Sequence, residues 1–91
     1  KRYDFQINKV EVNLKDLLEE VCDSMYYKAK RYNIELNLYL DEVSYSVDQD
    51  LFRQVIINIL DNSIKYSKTN SIDIILKKTD KIELIIKWYR N

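Results

Sequence analysis

The sequence contains no glycine, no proline and no histidine among its 91 residues, and it has a single cysteine, Cys22. Without glycine, the chain has no Gly-rich loop of the kind that wraps a phosphate closely. Without histidine, it has no Ser-His-Asp or Cys-His nucleophile system, and the usual zinc and copper sites are not expected. One cysteine excludes a disulfide framework within the chain and a cysteine metal cluster.

Charge and hydrophobicity set further limits. Fifteen Lys and Arg residues balance fifteen Asp and Glu residues, so nothing indicates bulk attraction to nucleic acid or to an anionic membrane. No apolar run approaches the roughly 18–20 residues of a membrane span. The length and the 46% hydrophobic content suit one small domain, which we assign to residues 1–91. Because the sequence starts at Lys1 and not at a methionine, we interpret it as an excised or processed fragment.

Hydrophobic periodicity divides the chain into two helices and several strands. Period-two alternation indicates an edge strand that includes Tyr3 and Phe5. Asn13, with Asp16 three residues later, resembles a helix N-cap, and three- and four-residue spacings after it predict an amphipathic helix. Asn33 suits the left-handed position at the end of that helix. In all, strands are predicted at about 3–12, 34–40, 43–47, 72–76 and 82–88, and helices at about 14–32 and 49–66. This order predicts an α+β two-layer sandwich, with both helices on one face of a mixed, mostly antiparallel sheet that includes hairpins.

The second helix is the most informative segment. Asp48 is a good N-cap, and the apolar face predicted to be buried comprises Leu51, Val55, Ile56, Ile59, Leu60 and Ile64. Asn58 and Asn62 project about 40° apart at 100° per residue, and Lys65 lies close to Asn58 with Gln54. Asn62 falls at the border of the predicted apolar face, so we expect it to be partly desolvated and to need a partner.

These side chains suit a nucleotide–magnesium complex. An amide oxygen is a neutral ligand for Mg²⁺, and a lysine ammonium neutralises phosphate oxygens. Tyr66 adds a hydroxyl or an aromatic surface. Spacing alone leaves the simpler alternative open, that Asn58, Asn62 and Lys65 form the solvated flank of a core helix.

The segment from Asp50 to Ser67, DLFRQVIINILDNSIKYS, resembles the N-box of sensor histidine kinases, whose pattern is Asn-Leu-Leu-x-Asn-Ala-x-Lys-Tyr-Thr. That family has the Bergerat ATP-binding fold, which gyrase shares. The likeness extends from about Val10 to Ile86 and includes the VNLKDLL opening of the first helix. It implies that Asn58, Asn62, Lys65 and Tyr66 bind ATP, with Asn62 as the Mg²⁺ ligand and Lys65 as a phosphate contact.

The resemblance also implies which chemistry this chain lacks. Hydrolytic Bergerat ATPases carry a water-activating glutamate where Asn58 stands, and an amide is a much poorer base. A hydrolytic ATPase is therefore disfavoured, and no catalytic residue is assigned. The Asp-x-Gly-x-Gly box that reads adenine, the lid and the helices with the acceptor histidine are all absent from the sequence. Three explanations remain open: a fragment of a longer kinase, a shortened relative that serves as an interaction module, or a chance likeness.

The first explanation leads to a specific expectation. The chain would be an ATP-binding part of a two-component kinase that supplies Mg²⁺ and phosphate ligands for autophosphorylation of a histidine, on the cytoplasmic side where ATP is. Its partners would be ATP, the histidine-bearing dimerisation helices and, indirectly, a response regulator, but no nucleic acid. Alone it would bind ATP–Mg²⁺ weakly or not at all and would self-associate through an exposed sheet edge or the last strand. The alternative function is a non-catalytic module that self-associates or binds a kinase.

Other residues have simpler interpretations. We expect Cys22 to be a buried or half-buried thiol and Tyr26, Tyr27 and Tyr32 to pack against the core or a partner. Trp88 and Tyr89 are read as core and edge residues of the last strand, and no observation in the sequence supports nucleotide stacking by them.

Overall fold

A computed structural model describes residues 7–89 of the chain. Its elements, in chain order, are β1 (Lys9–Asn13), α1 (Leu14–Arg31), β2 (Glu35–Leu40), β3 (Ser44–Asp48), α2 (Gln49–Tyr66), β4 (Ser71–Lys78) and β5 (Ile82–Trp88). The two helices pack on a mixed sheet, which confirms the predicted α+β architecture. Tyr3 and Phe5, part of the predicted first strand, lie outside the described residues. No helix within residues 7–89 has the length and apolar character needed to cross a membrane.

Local capping explains where the helices begin and end. The Asn13 side chain accepts a hydrogen bond from the Asp16 N–H at 3.0 Å and caps α1, as the sequence predicts. At the other end, Asn33 has φ 58°, and the backbone N–H groups of Asn33 and Ile34 donate to the carbonyls of Lys30 and Ala29. This pattern is a Schellman motif with asparagine in the position that usually favours glycine.

Lys68 is the second residue with a left-handed backbone, at φ 53°, one residue after the C-cap of α2. A non-glycine side chain in this conformation costs on the order of 1–2 kcal/mol. With no glycine in the sequence, a lysine makes the sharp exit from α2 into the connector.

Within residues 7–89, the strands form two separate sheets. β1 pairs with β3 antiparallel, with Val10 opposite Val47. In the second sheet, of order β2-β4-β5, β4 pairs with β2 in parallel and with β5 antiparallel. The implied hairpin between β2 and β3 is therefore wrong, whereas the β4–β5 hairpin is confirmed. Asp41 holds β2 to β4, because its N–H donates to the Leu76 carbonyl at 3.0 Å and its carboxylate accepts from the Lys78 N–H.

The core lies between the two helices and the inner face of the three-stranded sheet. Ile72, Ile74 and Leu76 of β4 are almost fully buried, as are Leu18 and Val21 of α1. Cys22 is also buried, as predicted, and this burial, with the nearby Asp23 carboxylate, raises the pKa of its thiol to about 11. Because β4 is the central strand and is covered by both helices, it anchors the elements on either side of it.

The predicted buried face of α2 is only half correct. Ile56, Leu60 and Ile64 are buried, but Leu51 and Val55 are each 53% exposed and Ile59 is 39% exposed. The apolar arc of this helix is wider than the surface that α1 and the sheet can bury. The side of the arc with Ile56, Leu60 and Ile64 therefore packs, and the adjacent side remains in solvent. We call Leu51, Val55 and Ile59 the outer face of α2.

Several aromatic side chains lie at the surface. Tyr26, Tyr27 and Tyr32 are exposed and do not pack into the core, so contact with a partner stays a prediction for them. Tyr26 and Tyr27 contact each other edge to face with ring centroids 5.3 Å apart. Trp88 is 40% exposed and Tyr89 is mostly exposed, so neither is a core residue. Conversely, the polar residues Ser67 and Thr69, between α2 and β4, are buried.

Candidate functional site

The four residues predicted to bind ATP all lie on the solvent-exposed side of α2. Asp48 begins this helix by accepting a hydrogen bond from the Leu51 N–H at 3.2 Å, as the sequence predicts. Asn58, Asn62, Lys65 and Tyr66 are all exposed. The expectation that Asn62 is partly desolvated and paired is wrong, since its amide has no hydrogen-bond partner among residues 7–89. The arc that carries Asn62 is the exposed one, so its polar group remains available to a ligand.

A cavity of about 390 Å³ opens at the C-terminal end of α2. Five side chains line it: Asn62, Ser63, Tyr66, Ser67 and Trp88. The structure thus brings together two of the predicted residues, Asn62 and Tyr66, and adds three that the sequence did not identify. Its volume is within the roughly 300–1,000 Å³ typical of small-molecule sites. We call this space the α2 cavity.

Asn58 and Lys65 do not line the α2 cavity. The Gln54 side-chain amide donates to Asn58 Oδ1 at 3.1 Å, one helical turn away. Lys65 Nζ lies 3.2 Å from Asp61 Oδ2, and Lys28 of α1 pairs with the other oxygen of the same carboxylate. Asp61 therefore links the lysine of the N-box-like segment to the neighbouring helix.

The cluster of two lysines and one aspartate carries a net positive charge. Desolvation, followed by the neighbouring charge of Lys65, lowers the pKa of the Lys28 ammonium below its usual value. One carboxylate thus holds two cations close enough for them to repel each other. An anion such as a phosphate group would relieve that repulsion, and Lys65, the more exposed of the two lysines, is the one better placed to reach it.

Ser67 and Trp88 are the functional candidates that sequence reasoning missed. The Ser67 Oγ atom is buried and has no hydrogen-bond partner within the described chain. Next to it, the Thr69 hydroxyl lies 2.6 Å from the Tyr89 carbonyl oxygen and donates to it, which fixes the end of β5 beside the end of α2. The position of Ser67 at the end of the N-box-like segment was a usable signal, but no local pattern relates Trp88 to Asn62.

Two larger cavities lie elsewhere. One, of about 600 Å³, borders Cys22, Tyr26 and Ile34, and the other, of about 690 Å³, lies between the two sheets beside Phe52 and Leu84. Neither contains any of the four predicted ATP-binding residues. The α2 cavity is smaller, but it combines an unpaired amide, hydroxyl groups and two aromatic rings, so it offers both polar and apolar contacts to a small ligand.

No family model matches the chain, but its sequence is similar to those of sensory kinases. The adaptive-response sensory kinase SasA of Gloeothece citriformis is 31% identical over 86 residues, covering 89% of this chain and 22% of the relative. A SasA from a Synechococcus strain is 28% identical over 88 residues, covering 91% of this chain and 23% of the relative. The chain therefore spans under a quarter of the length of these curated relatives.

Solved structures agree on the fold. The catalytic domain of histidine kinase ThkA superposes with a TM-score of 0.77 at 26% identity, covering 86% of this chain and 54% of that one. ThkA in complex with the response regulator TrrA gives a TM-score of 0.79 at 24% identity, covering 88% and 25%. The ATP-binding domain of PrrB from Mycobacterium tuberculosis gives 0.74 at 17% identity, covering 89% and 60%. The chain is thus similar in sequence to sensor histidine kinases and has the fold of their catalytic ATP-binding domain.

Proposed function

We propose that this chain forms the part of a sensor histidine kinase that binds ATP–Mg²⁺ for phosphorylation of a histidine elsewhere in that kinase. The observation that carries the proposal is the unpaired Asn62 amide on the wall of an open cavity, beside Tyr66. It agrees with the sequence likeness to SasA and with the fold shared with ThkA and PrrB.

Asn62 fits the role of magnesium ligand. Its amide oxygen is a hard, uncharged donor, and Mg²⁺ commonly takes one or two protein ligands and completes its shell with phosphate oxygens and water. Among the described residues, no group of three or more acidic or cysteine side chains could hold a metal ion by itself. The metal would then bind together with the nucleotide, where it bridges and neutralises phosphate oxygens.

Lys65, Tyr66 and Asn58 have different roles in this proposal. Lys65 approaches the phosphates by exchanging its ion pair with Asp61 for a phosphate oxygen, at little cost because exposed ion pairs contribute only about 0–1 kcal/mol. Tyr66 forms one wall of the α2 cavity. Asn58 supplies a second amide, which its hydrogen bond from Gln54 holds in one orientation.

Partners follow from the same proposal. Because the sequence has no histidine, the phosphate acceptor lies outside these 91 residues, on the dimerisation helices of the kinase. ThkA is known in complex with a response regulator, and we infer that such a protein is the indirect partner here. The nucleotide requirement places the chain on the cytoplasmic side.

A titration with ATP tests the proposal directly. We expect weak binding that strengthens when Mg²⁺ is added, followed by backbone amide chemical shifts of α2 in NMR spectra. Asn62→Ala should remove the gain from Mg²⁺ and weaken ATP binding by roughly tenfold or more, the usual effect of losing a polar contact to a charged group.

Asn70→Ala is the matched control, because Asn70 is also exposed but lies outside the α2 cavity. This variant should bind ATP–Mg²⁺ like the parent chain. Equal losses in the two variants, or shifts that do not depend on Mg²⁺, would refute the assignment of Asn62.

A further inference from the structure

The end of β5 contributes an aromatic ring to the α2 cavity. Trp88 pairs across the sheet with Ile72, which is fully buried beneath the helices, so Trp88 stands on the helix side of the sheet. The hydrogen bond from Thr69 to the Tyr89 carbonyl then fixes the backbone next to it. Trp88 is thereby held at the cavity while 40% of its surface remains in solvent.

The composition of the cavity distinguishes which part of a nucleotide it suits. All five lining side chains are uncharged, and two of them are aromatic. On α2 and α1, the ammonium groups of Lys65 and Lys28 lie around Asp61, and neither lysine lines the cavity. Phosphates therefore belong on the lysine side of Asn62, and the cavity suits a flat, neutral, heteroaromatic group.

We propose that Trp88 is a base-stacking residue, with the purine ring of the nucleotide lying against its indole and Tyr66 bordering the same cavity. The buried Ser67 hydroxyl, unpartnered within the described residues, is available to an edge of the base once the ring enters and the side chain turns. This inference rests on the proposed function and extends it by locating the base.

Trp88 is the sole tryptophan of the sequence, so its fluorescence reports on the cavity directly. Adenosine has no phosphate group and does not require Mg²⁺ for binding. It should quench the Trp88 emission, and the quenching should saturate as the adenosine concentration rises. Ribose 5-phosphate and tripolyphosphate should leave it unchanged. Free N-acetyltryptophanamide is the reference for collisional quenching, which increases without saturation.

Substitutions give the second measurement, with binding followed by NMR because the fluorophore is lost. Trp88→Ala should weaken adenosine binding by roughly five- to hundredfold, the range for loss of one base–aromatic stack. Trp88→Phe keeps an aromatic face and should restore most of the affinity, and it also decides the matter if the alanine variant fails to fold. Tyr27→Ala is the control, since it removes an exposed aromatic ring from α1.

The outcomes separate this inference from the proposed function. If ATP binding depends on Mg²⁺ and Asn62 while adenosine gives no saturable quenching, the stacking role is wrong and the proposed function stands. If adenosine quenches saturably but Mg²⁺ adds nothing to ATP binding, Trp88 contacts the base and the proposed function is wrong. Unchanged adenosine affinity in Trp88→Ala also overturns the stacking role.

Discussion

Leu51 and Leu60 lie on the same helix, and the sequence pattern assigns both to its buried face. The structure separates them, because Leu60 is 0% exposed and Leu51 is 53% exposed. Replacing each in turn with alanine tests whether the outer face of α2 stands in solvent, as a nucleotide site along this helix requires. Alanine is the best helix former, so neither substitution disturbs the helix itself.

The expected magnitudes differ severalfold. Leu60→Ala removes a fully buried side chain and leaves a cavity, which destabilises the native state by roughly 2–5 kcal/mol. Full burial of a leucine side chain is worth about 1.5–3 kcal/mol, and Leu51 buries only about half of its surface. Leu51→Ala should therefore cost about 1 kcal/mol, less a few tenths of a kcal/mol regained through helix propensity. Only the first change is large beside the roughly 5–15 kcal/mol that stabilises a typical domain.

Urea unfolding followed by far-UV circular dichroism measures both variants. With a slope of about 1–3 kcal/mol/M for small domains, Leu60→Ala should lower the midpoint by roughly 1 M or more, and Leu51→Ala by well under that. The curves are recorded at several protein concentrations. If a second copy of the chain covers the outer face of α2, the urea midpoint will depend on protein concentration. Equal losses at low concentration, or a larger loss for Leu51→Ala, would refute the orientation of α2.

Two further predictions concern the helix cap and the sheet edge. The N–H groups of Leu51 and Asn8 hold the pKa of Asp48 below its usual range. The contribution of Asp48 to stability is therefore complete above the unfolded pKa of about 3.9 and is lost as the pH falls through the lower folded pKa. The unfolding midpoints of Asp48→Asn and of the parent chain should converge over that acidic range, and parallel pH profiles would contradict this. β5 is an edge strand, so the chain should self-associate in sedimentation experiments and Ile85→Lys should reduce this association, whereas a monomeric parent chain would count against it.

Much of the local structure was predictable from short-range signals. Asn13 and Asp48 were identified as helix caps, and Asn33 as the left-handed residue after α1, because a cap depends only on groups within one turn of the helix. The strand at about 72–76 was predicted from its apolar residues and corresponds to β4. Such signals require no knowledge of the rest of the fold.

The candidate site was predictable in part. Asn62 and Tyr66 were found because they share one helix with a recognisable pattern. Trp88 was read as a core residue, since the sequence does not show that β5 ends beside the C-terminus of α2. Lys65 was identified, but its ion pair with Asp61, and through it the link to Lys28, depends on how α1 packs.

The sequence by itself determined the order of the helices and strands within residues 7–89, the approximate bounds of the two helices and the identity of the amide-bearing helix, because periodicity and capping are local properties. Only the tertiary structure decided which arc of α2 is buried, that β2 joins β4 and not β3, and that Asn62, Ser67 and Trp88 share one cavity. Those outcomes depend on contacts between segments distant in the chain, where several partners have similar hydrophobic patterns. The packing of both helices over β4 selects among them.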